Sequence, residues 1–163
     1  MSEQTFTYTP VATVIGGHAT PLDDYQGGTK AIIRLNADFP EEVLQGIEAF
    51  SHLTVTWPFT HASPSDVELH ARSPRGNPRW PATGTFVHRN HRRPAQMALS
   101  FPRLLGVDGL DLHVTDLDAV DGTPVLDLAP YFPQMGPRGL VTVPAWPGEM
   151  LAHYWDNHTD RPL

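Results

Sequence analysis

The stretch Ala98-Leu99-Ser100-Phe101-Pro102-Arg103-Leu104-Leu105-Gly106-Val107-Asp108-Gly109-Leu110-Asp111-Leu112-His113-Val114-Thr115-Asp116-Leu117 decides the fold class. Residues 98–105 and 110–117 each read as a β-strand, and the Asp-Gly pair between them is a strong hairpin signal, because such a turn needs residues that tolerate a positive φ. Outward from this hairpin the same grammar recurs. Pro124–Leu128 and Gly84–His88 read as further strands, and so do His52–Phe59 and Lys30–Leu35. Val67, Leu69 and Ala71 alternate with Glu68 and His70, as a half-buried strand should. Phe6, Tyr8, Val11, Val14 and Ile15 make a strand-like opening that Gly16-Gly17 ends.

Between the strands the chain is punctuated by turns. Ser73–Pro81, with three prolines and a glycine, predicts a loop. Pro40-Glu41-Glu42 starts a short helix, with acids at the positive end of its dipole, and Gly46 stops it. Pro147–Asn157 predicts a short C-terminal helix that lays Met150, Leu151, Tyr154 and Trp155 on the sheet. The expected fold is all-β with short helices, a single antiparallel β-barrel, because closure removes the edges that short strands would otherwise expose. Seventeen prolines and thirteen glycines in 163 residues support that class over a helical one. The length predicts one domain over residues 1–163.

Composition narrows the chemistry. Cysteine is absent, which excludes disulfides, thiolate metal sites and thiol nucleophiles. No basic leader with an apolar core opens the chain, and no run of about 18 apolar residues occurs. The expectation is a cytoplasmic protein without a membrane partner. Net charge is −7, yet Leu69–Val107 holds no acid and seven arginines: Arg72, Arg75, Arg79, Arg89, Arg92, Arg93 and Arg103. This band carries +7 against −14 for the remainder, so it reads either as an anion-facing surface or as a solvated arginine-rich loop.

The familiar site templates are missing. There is no phosphate-binding loop with its lysine, no dinucleotide glycine fingerprint and no His-Glu-x-x-His. His88 and His91 are close in sequence, but Arg89, Arg92 and Arg93 would repel a divalent cation, so no metal is expected. Ser51 and His52 are contiguous, and on a strand their side chains would face opposite ways, which argues against a hydrolase pair. The densest polar constellation is Asp116-Leu117-Asp118-Ala119-Val120-Asp121-Gly122-Thr123-Pro124. It reads equally as a capped turn or as a wall of oxygens able to hold ribose hydroxyls.

Three ordered blocks resemble the TrmO/TsaA-like family of S-adenosylmethionine-dependent tRNA methyltransferases. Gly46-Ile47-Glu48-Ala49-Phe50-Ser51-His52-Leu53 is similar to the family's G-[IL]-E-x-F-S-H-L, and Asp121-Gly122-Thr123-Pro124-Val125-Leu126-Asp127 with Pro130-Tyr131 is similar to its D-G-T-P-V-x-D-x-x-P-Y. Between them the family's central segment keeps Phe86, Arg89, Arg93, Pro94, Leu99 and Ser100. The resemblance implies a β-barrel, a homodimer with the site near the subunit interface, and S-adenosyl-L-methionine as cofactor. Position by position it implies cofactor contacts at Tyr25, Gln26 and Gly27, at Phe59, Thr60 and His61 ending the long strand, at Arg89 and Leu99, and along Asp118, Ala119, Val120, Asp121, Gly122 and Thr123.

The sequence also departs from that pattern. Asn90-His91-Arg92 stands where the family has S-P-H, and Arg93-Pro94-Ala95-Gln96 where it has R-P-N-P. Thr60 replaces a histidine, and the expectation is a short member without the C-terminal domain of the tRNA-modifying members. The resemblance thus implies retained cofactor use, with methyl transfer to a small-molecule acceptor or to N6-modified adenosine in tRNA. Two alternatives stay open. One is aminocarboxypropyl transfer or cyclisation with release of methylthioadenosine, for which Asp121, Tyr131 or His61 would be the base. The other is a non-catalytic module that binds S-adenosylmethionine.

Overall fold

The computed structural model describes residues 3–163. Eight strands form in chain order: β1 (Ala12–Gly16), β2 (Lys30–Leu35), β3 (Leu53–Pro58), β4 (Met97–Ser100), β5 (Arg103–Asp108), β6 (Asp111–Thr115), β7 (Pro124–Val125) and β8 (Asp127–Pro130). They make a five-stranded sheet in the order β5-β6-β2-β1-β7 and a three-stranded sheet in the order β4-β3-β8, with every pairing antiparallel. The expected all-β class with short helices therefore holds. The strands form two sheets, not one continuous closed ladder.

The sheets are tied to each other at two places. Leu53 N–H donates to Pro102 O at 3.0 Å and Leu104 N–H to Ser51 O at 2.8 Å, flanking an isolated bridge between His52 and Arg103. On the other side β7 and β8 follow one another through Leu126, whose N–H donates to Thr56 O at 2.9 Å. Period-2 burial explains why the strands stack as they do: Leu53, Val55 and Trp57 of β3 point inward, and so do Ala31, Ile33 and Leu35 of β2 and Leu112 and Val114 of β6. With Val14, Leu117 and Val125 these side chains make one apolar core.

The Asp108-Gly109 hairpin forms as expected, with Asp108 opposite Asp111 and Gly109 at φ 60°. Residues 98–105 differ from the expectation of one strand. Pro102 has no N–H to donate to a ladder, so the chain breaks at Phe101-Pro102 and its halves join different sheets. Residues 124–128 divide at Leu126 in the same manner. The expected strands at 67–71 and 84–88 do not form. The first is irregular, with Leu69 69% exposed, and the second is a 3-10 turn at Thr85–Val87 with Phe86 80% exposed. Alternation alone could not supply a partner strand, and the isolated Arg72–Thr83 bridge is the pairing that residues 59–96 contain among those described. The opening strand is confined to β1, leaving Phe6 and Tyr8 exposed.

The C-terminal helix is shorter than expected. Only α1 (Trp146–Met150) is helical, and turns carry the chain on to Asp156. Among the described residues no helix is long and apolar enough to cross a membrane.

Candidate functional site

The site is built around the carboxylate of Asp118, in the turn that follows β6. Ser100, the last residue of β4, donates its hydroxyl to Asp118 Oδ1, and the Tyr154 hydroxyl donates to Asp118 Oδ2. Ser100 is itself buried and accepts the indole N–H of Trp57 at 2.9 Å. The Trp57 ring meets Phe59 edge-on, with centroids 4.8 Å apart. Beside Ser100, the guanidinium of Arg89 donates to Leu99 O at 2.7 Å. A chain of contacts therefore joins Phe59, Trp57, Ser100 and Asp118 to Tyr154, with Leu99 and Arg89 at its side.

Tyr154 also reaches the early loop. Its carbonyl accepts the N–H of Gln26 at 2.8 Å, while Tyr25 N–H donates to His153 O and Gly27 N–H to Asp156 O, both at 3.0 Å. His158 N–H returns a bond to Gly27 O at 2.9 Å. Residues 146–158 thus form a strap across the loop. Tyr25 adopts a left-handed φ of 63° and stacks on the His153 ring, with centroids 6.4 Å apart. Gly27 is required by space, because a Cβ there would collide with the Trp155 carbonyl. Gln26 is only 3% exposed. Its amide N–H donates to Leu22 O at 2.9 Å, and its Oε1 is buried without a protein partner among the described residues.

The aspartate-rich turn takes the first of the two roles that its sequence left open, that of a capped turn. Asp121 acts as a cap: its Oδ1 accepts Gly16 N–H at 2.8 Å, and its own N–H donates to His18 O. Asp116, at a φ of 59°, does the same for Gly28 N–H at 2.8 Å. Ala119 and Val120 are buried, Gly122 takes a φ of 82°, and Thr123 is buried with its hydroxyl unpartnered among the described residues. Asp118 differs in carrying a side-chain hydroxyl on each carboxylate oxygen.

Of the sequence-derived residues, the structure thus links Tyr25, Gln26 and Gly27 to Asp118 through Tyr154, and Asp118 to Leu99 and Arg89 through Ser100. Thr60 and His61 are exposed just past the end of β3. Asp121, Tyr131 and His61 do not come together. Tyr131 follows Pro130, which pairs with Leu53 at the start of β3, and its ring packs on Phe101 at 5.4 Å. His61 lies beyond the opposite end of the same strand, and Asp121 is held on Gly16.

Next to Arg89 an open cleft of about 560 Å³ is lined by Thr56, Arg89, Arg93, Met97, Ala98, Leu99 and Phe101. Part of the arginine band is spent internally. Arg93 donates to the carbonyls of Asn90, Arg89 and Met97, and burial followed by the charge of Arg89 holds its pKa below the ordinary value. Arg72 donates to Glu68 O, Thr85 Oγ1 and Asn90 Oδ1. Arg75 grips Asp24 with both terminal nitrogens, at 3.0 and 3.1 Å. Burial, and then the nearby charge of Asp118, push the Tyr154 phenol well above the usual tyrosine range, so it is a donor at any physiological pH.

Two sequence inferences about histidine are resolved. His88 is buried and its Nε2 is shared with Thr83 Oγ1 at 3.0 Å. Ser51 and His52 do not point apart. They precede β3 instead of lying on it, and Ser51 Oγ meets His52 Nδ1 at 2.7 Å on the exposed surface. The residues missed from sequence are Tyr154 and Trp57. Tyr154 lies outside every recognisable motif, and an aromatic in an amphipathic C-terminal segment was its only signal.

The family model for the tRNA-methyltransferase O N-terminal domain matches residues 18–136. A mouse protein named tRNA (adenine(37)-N6)-methyltransferase is 35% identical over 92 residues, covering 56% of this chain and 21% of its own. A Pyrococcus abyssi protein named as a probable S-adenosyl-L-methionine-binding protein is 34% identical over 109 residues, covering 64% of this chain and 55% of its own. The crystal structure of a TrmO from Pseudomonas aeruginosa superposes with a TM-score of 0.68 at 24% identity, covering 86% of this chain and 61% of that one. That likeness extends to the fold, and the chain spans about a fifth of the mouse relative.

Proposed function

Because the chain belongs to the tRNA-methyltransferase O N-terminal domain family, we propose that it is an S-adenosylmethionine-dependent methyltransferase whose acceptor is an N6-modified adenosine in tRNA. The observation that carries the reading is the contact chain from Gln26 through Tyr154 to Asp118, Ser100, Leu99 and Arg89, which joins four separate parts of the sequence and ends at an open cleft lined by Leu99 and Arg89.

The donor set fits such a cofactor. The buried, unpartnered Oε1 of Gln26 would accept an N–H or O–H from the nucleoside. Asp118 keeps one free lone pair on each oxygen for ribose hydroxyls. Arg89 suits the amino-acid carboxylate, and the ring of Phe59 suits a sulfonium. When bound, S-adenosylmethionine supplies an electrophilic methyl group. The chain's task is then to hold the acceptor in line and keep water from the approach, for which no strong base is needed. The separation of Asp121, Tyr131 and His61 is no obstacle to methyl transfer, which needs none of them as a base. The cleft that Leu99 and Phe101 line beside Arg89 would receive the acceptor base, with its apolar floor against the ring.

In this reading residues 1–163 act as one domain in the cytoplasm, and the two sheets serve as walls of one barrel closed through the His52–Arg103 bridge. Two copies pair through the segment after β8, where Met135 is 81% and Leu140 90% exposed, with Phe132, Val141 and Val143 also bare.

The test is to incubate purified protein with S-adenosylmethionine, alone and with total tRNA, and to weigh the adenosine-containing product and the digested nucleosides. S-adenosylhomocysteine together with a methylated adenosine, both dependent on tRNA, is the expected result. Methylthioadenosine would instead mark aminocarboxypropyl chemistry. S-adenosylhomocysteine formed only with small molecules would move the acceptor, and binding without turnover would make the chain a cofactor-binding module.

A further inference from the structure

Tyr154 lies beyond residues 18–136 that the family shares, yet through its backbone and its side chain it touches both halves of the candidate cofactor site. Its carbonyl accepts from Gln26 N–H and its hydroxyl donates to Asp118. The structure assigns Tyr154, carried on the strap 146–158, as the positioning residue that aims the Asp118 carboxylate at the nucleoside; this rests on the cofactor reading above.

Three observations favour a built-in wall over a loosely placed tail. The strap is anchored at both ends. At its start the Trp80 indole N–H donates to Glu149 at 2.8 Å and the rings of His88 and Trp146 lie 6.2 Å apart. At its end four backbone hydrogen bonds join it to Tyr25–Gly27. Gly27 leaves room for no more than hydrogen, because a Cβ there would strike the Trp155 carbonyl, and one on Gly28 would press to within 2.9 Å of the Asn157 side-chain amide. Finally, the Asp118 carboxylate has one hydroxyl on each oxygen, from Ser100 and Tyr154. With a donor at both ends its plane is set, and the remaining lone pairs project in fixed directions. Loss of either donor frees the carboxylate to rotate.

The phenol stays protonated throughout the pH range in which the protein would act, because burial disfavours its anion and Asp118 reinforces that. The donor role is therefore constant, and no proton moves.

The experiment is a double-mutant cycle on binding of S-adenosylmethionine and of methylthioadenosine, read by calorimetry on the full chain, with Tyr154→Phe, Asp118→Asn and both together. Tyr154→Phe keeps the ring and the backbone bonds, and melting temperatures verify that each variant is folded. The expected result is about tenfold weaker binding of both ligands by Tyr154→Phe, the size of one hydrogen bond to a charged group. In the Asp118→Asn background the same change should have almost no effect. A merely structural tyrosine would weaken binding equally in both backgrounds and would overturn the assignment. Tighter binding by Tyr154→Phe would overturn it in the opposite sense, making the strap a competitor for the pocket. If the wild-type chain binds neither ligand, the cofactor reading itself fails, which is distinguishable from failure of the Tyr154 role alone.

Discussion

At the scale of single residues, Ser100 and Gly27 hold the candidate site together. Ser100 is buried between the Trp57 indole and Asp118. Ser100→Ala would leave the indole N–H without an acceptor in the interior, at a cost of about 1–3 kcal/mol. Chemical denaturation should show that loss, and calorimetry should show weaker S-adenosylmethionine binding as Asp118 loses a donor. Gly27→Ala acts through space alone, since the added methyl meets a backbone carbonyl that cannot swing aside. We predict about 1–3 kcal/mol of destabilisation from such overpacking, with faster hydrogen exchange at the amides of Gln26 and of residues 153–158. A methyl tolerated with unchanged exchange would show that the strap does not rest on this loop. Gly27 was legible in the sequence as part of a motif. Its reason was not, because the opposing carbonyl lies at the other end of the chain.

Among the elements, what could be read from sequence was whatever is settled locally. The β5–β6 hairpin depends on Asp108-Gly109, and β2 appears with the expected bounds because its alternation and its glycine boundary agree. Where a partner strand decides, the reading failed. Residues 67–71 alternate correctly but have nothing to pair with, and Pro102 sends the two halves of a single apolar run into different sheets. The strap against the early loop is likewise a long-range pairing, and its stability should depend on pH. Burial, followed by electrostatic repulsion from His158 and Arg161, holds His18 below the ordinary histidine range. Its Nε2 shares a hydrogen bond with Thr29 Oγ1 at 3.0 Å. The folded state therefore prefers the neutral ring. Its contribution is complete above the unfolded value of about 6.5 and is lost as the pH falls through the lower folded value. The protection factors of the Tyr25–Gly27 amides, which remove the intrinsic pH dependence of exchange, should fall on acidification from neutral to about pH 5, and His18→Gln should flatten that dependence. A flat profile in the wild-type chain would remove His18 from the account.

For the whole molecule, the all-β class was legible in the strand and turn pattern and the family in three ordered motifs, while the packing of the C-terminal strap on the early loop came only with the structure. The exposed apolar run from Phe132 to Val143 predicts a dimer. Light scattering at micromolar concentration should give twice the chain mass of 18.0 kDa, and Leu140→Asp should return the single-chain mass. A wild-type chain that remains single under these conditions would contradict the pairing. The central claim is that Gln26, Arg89, Leu99 and Asp118 border one nucleoside pocket. An NMR titration of isotope-labelled protein with S-adenosylmethionine tests it most directly. The account predicts saturable shifts concentrated at those four residues and at Tyr154. No shifts, or shifts confined to the Tyr131–Val143 side, would contradict it.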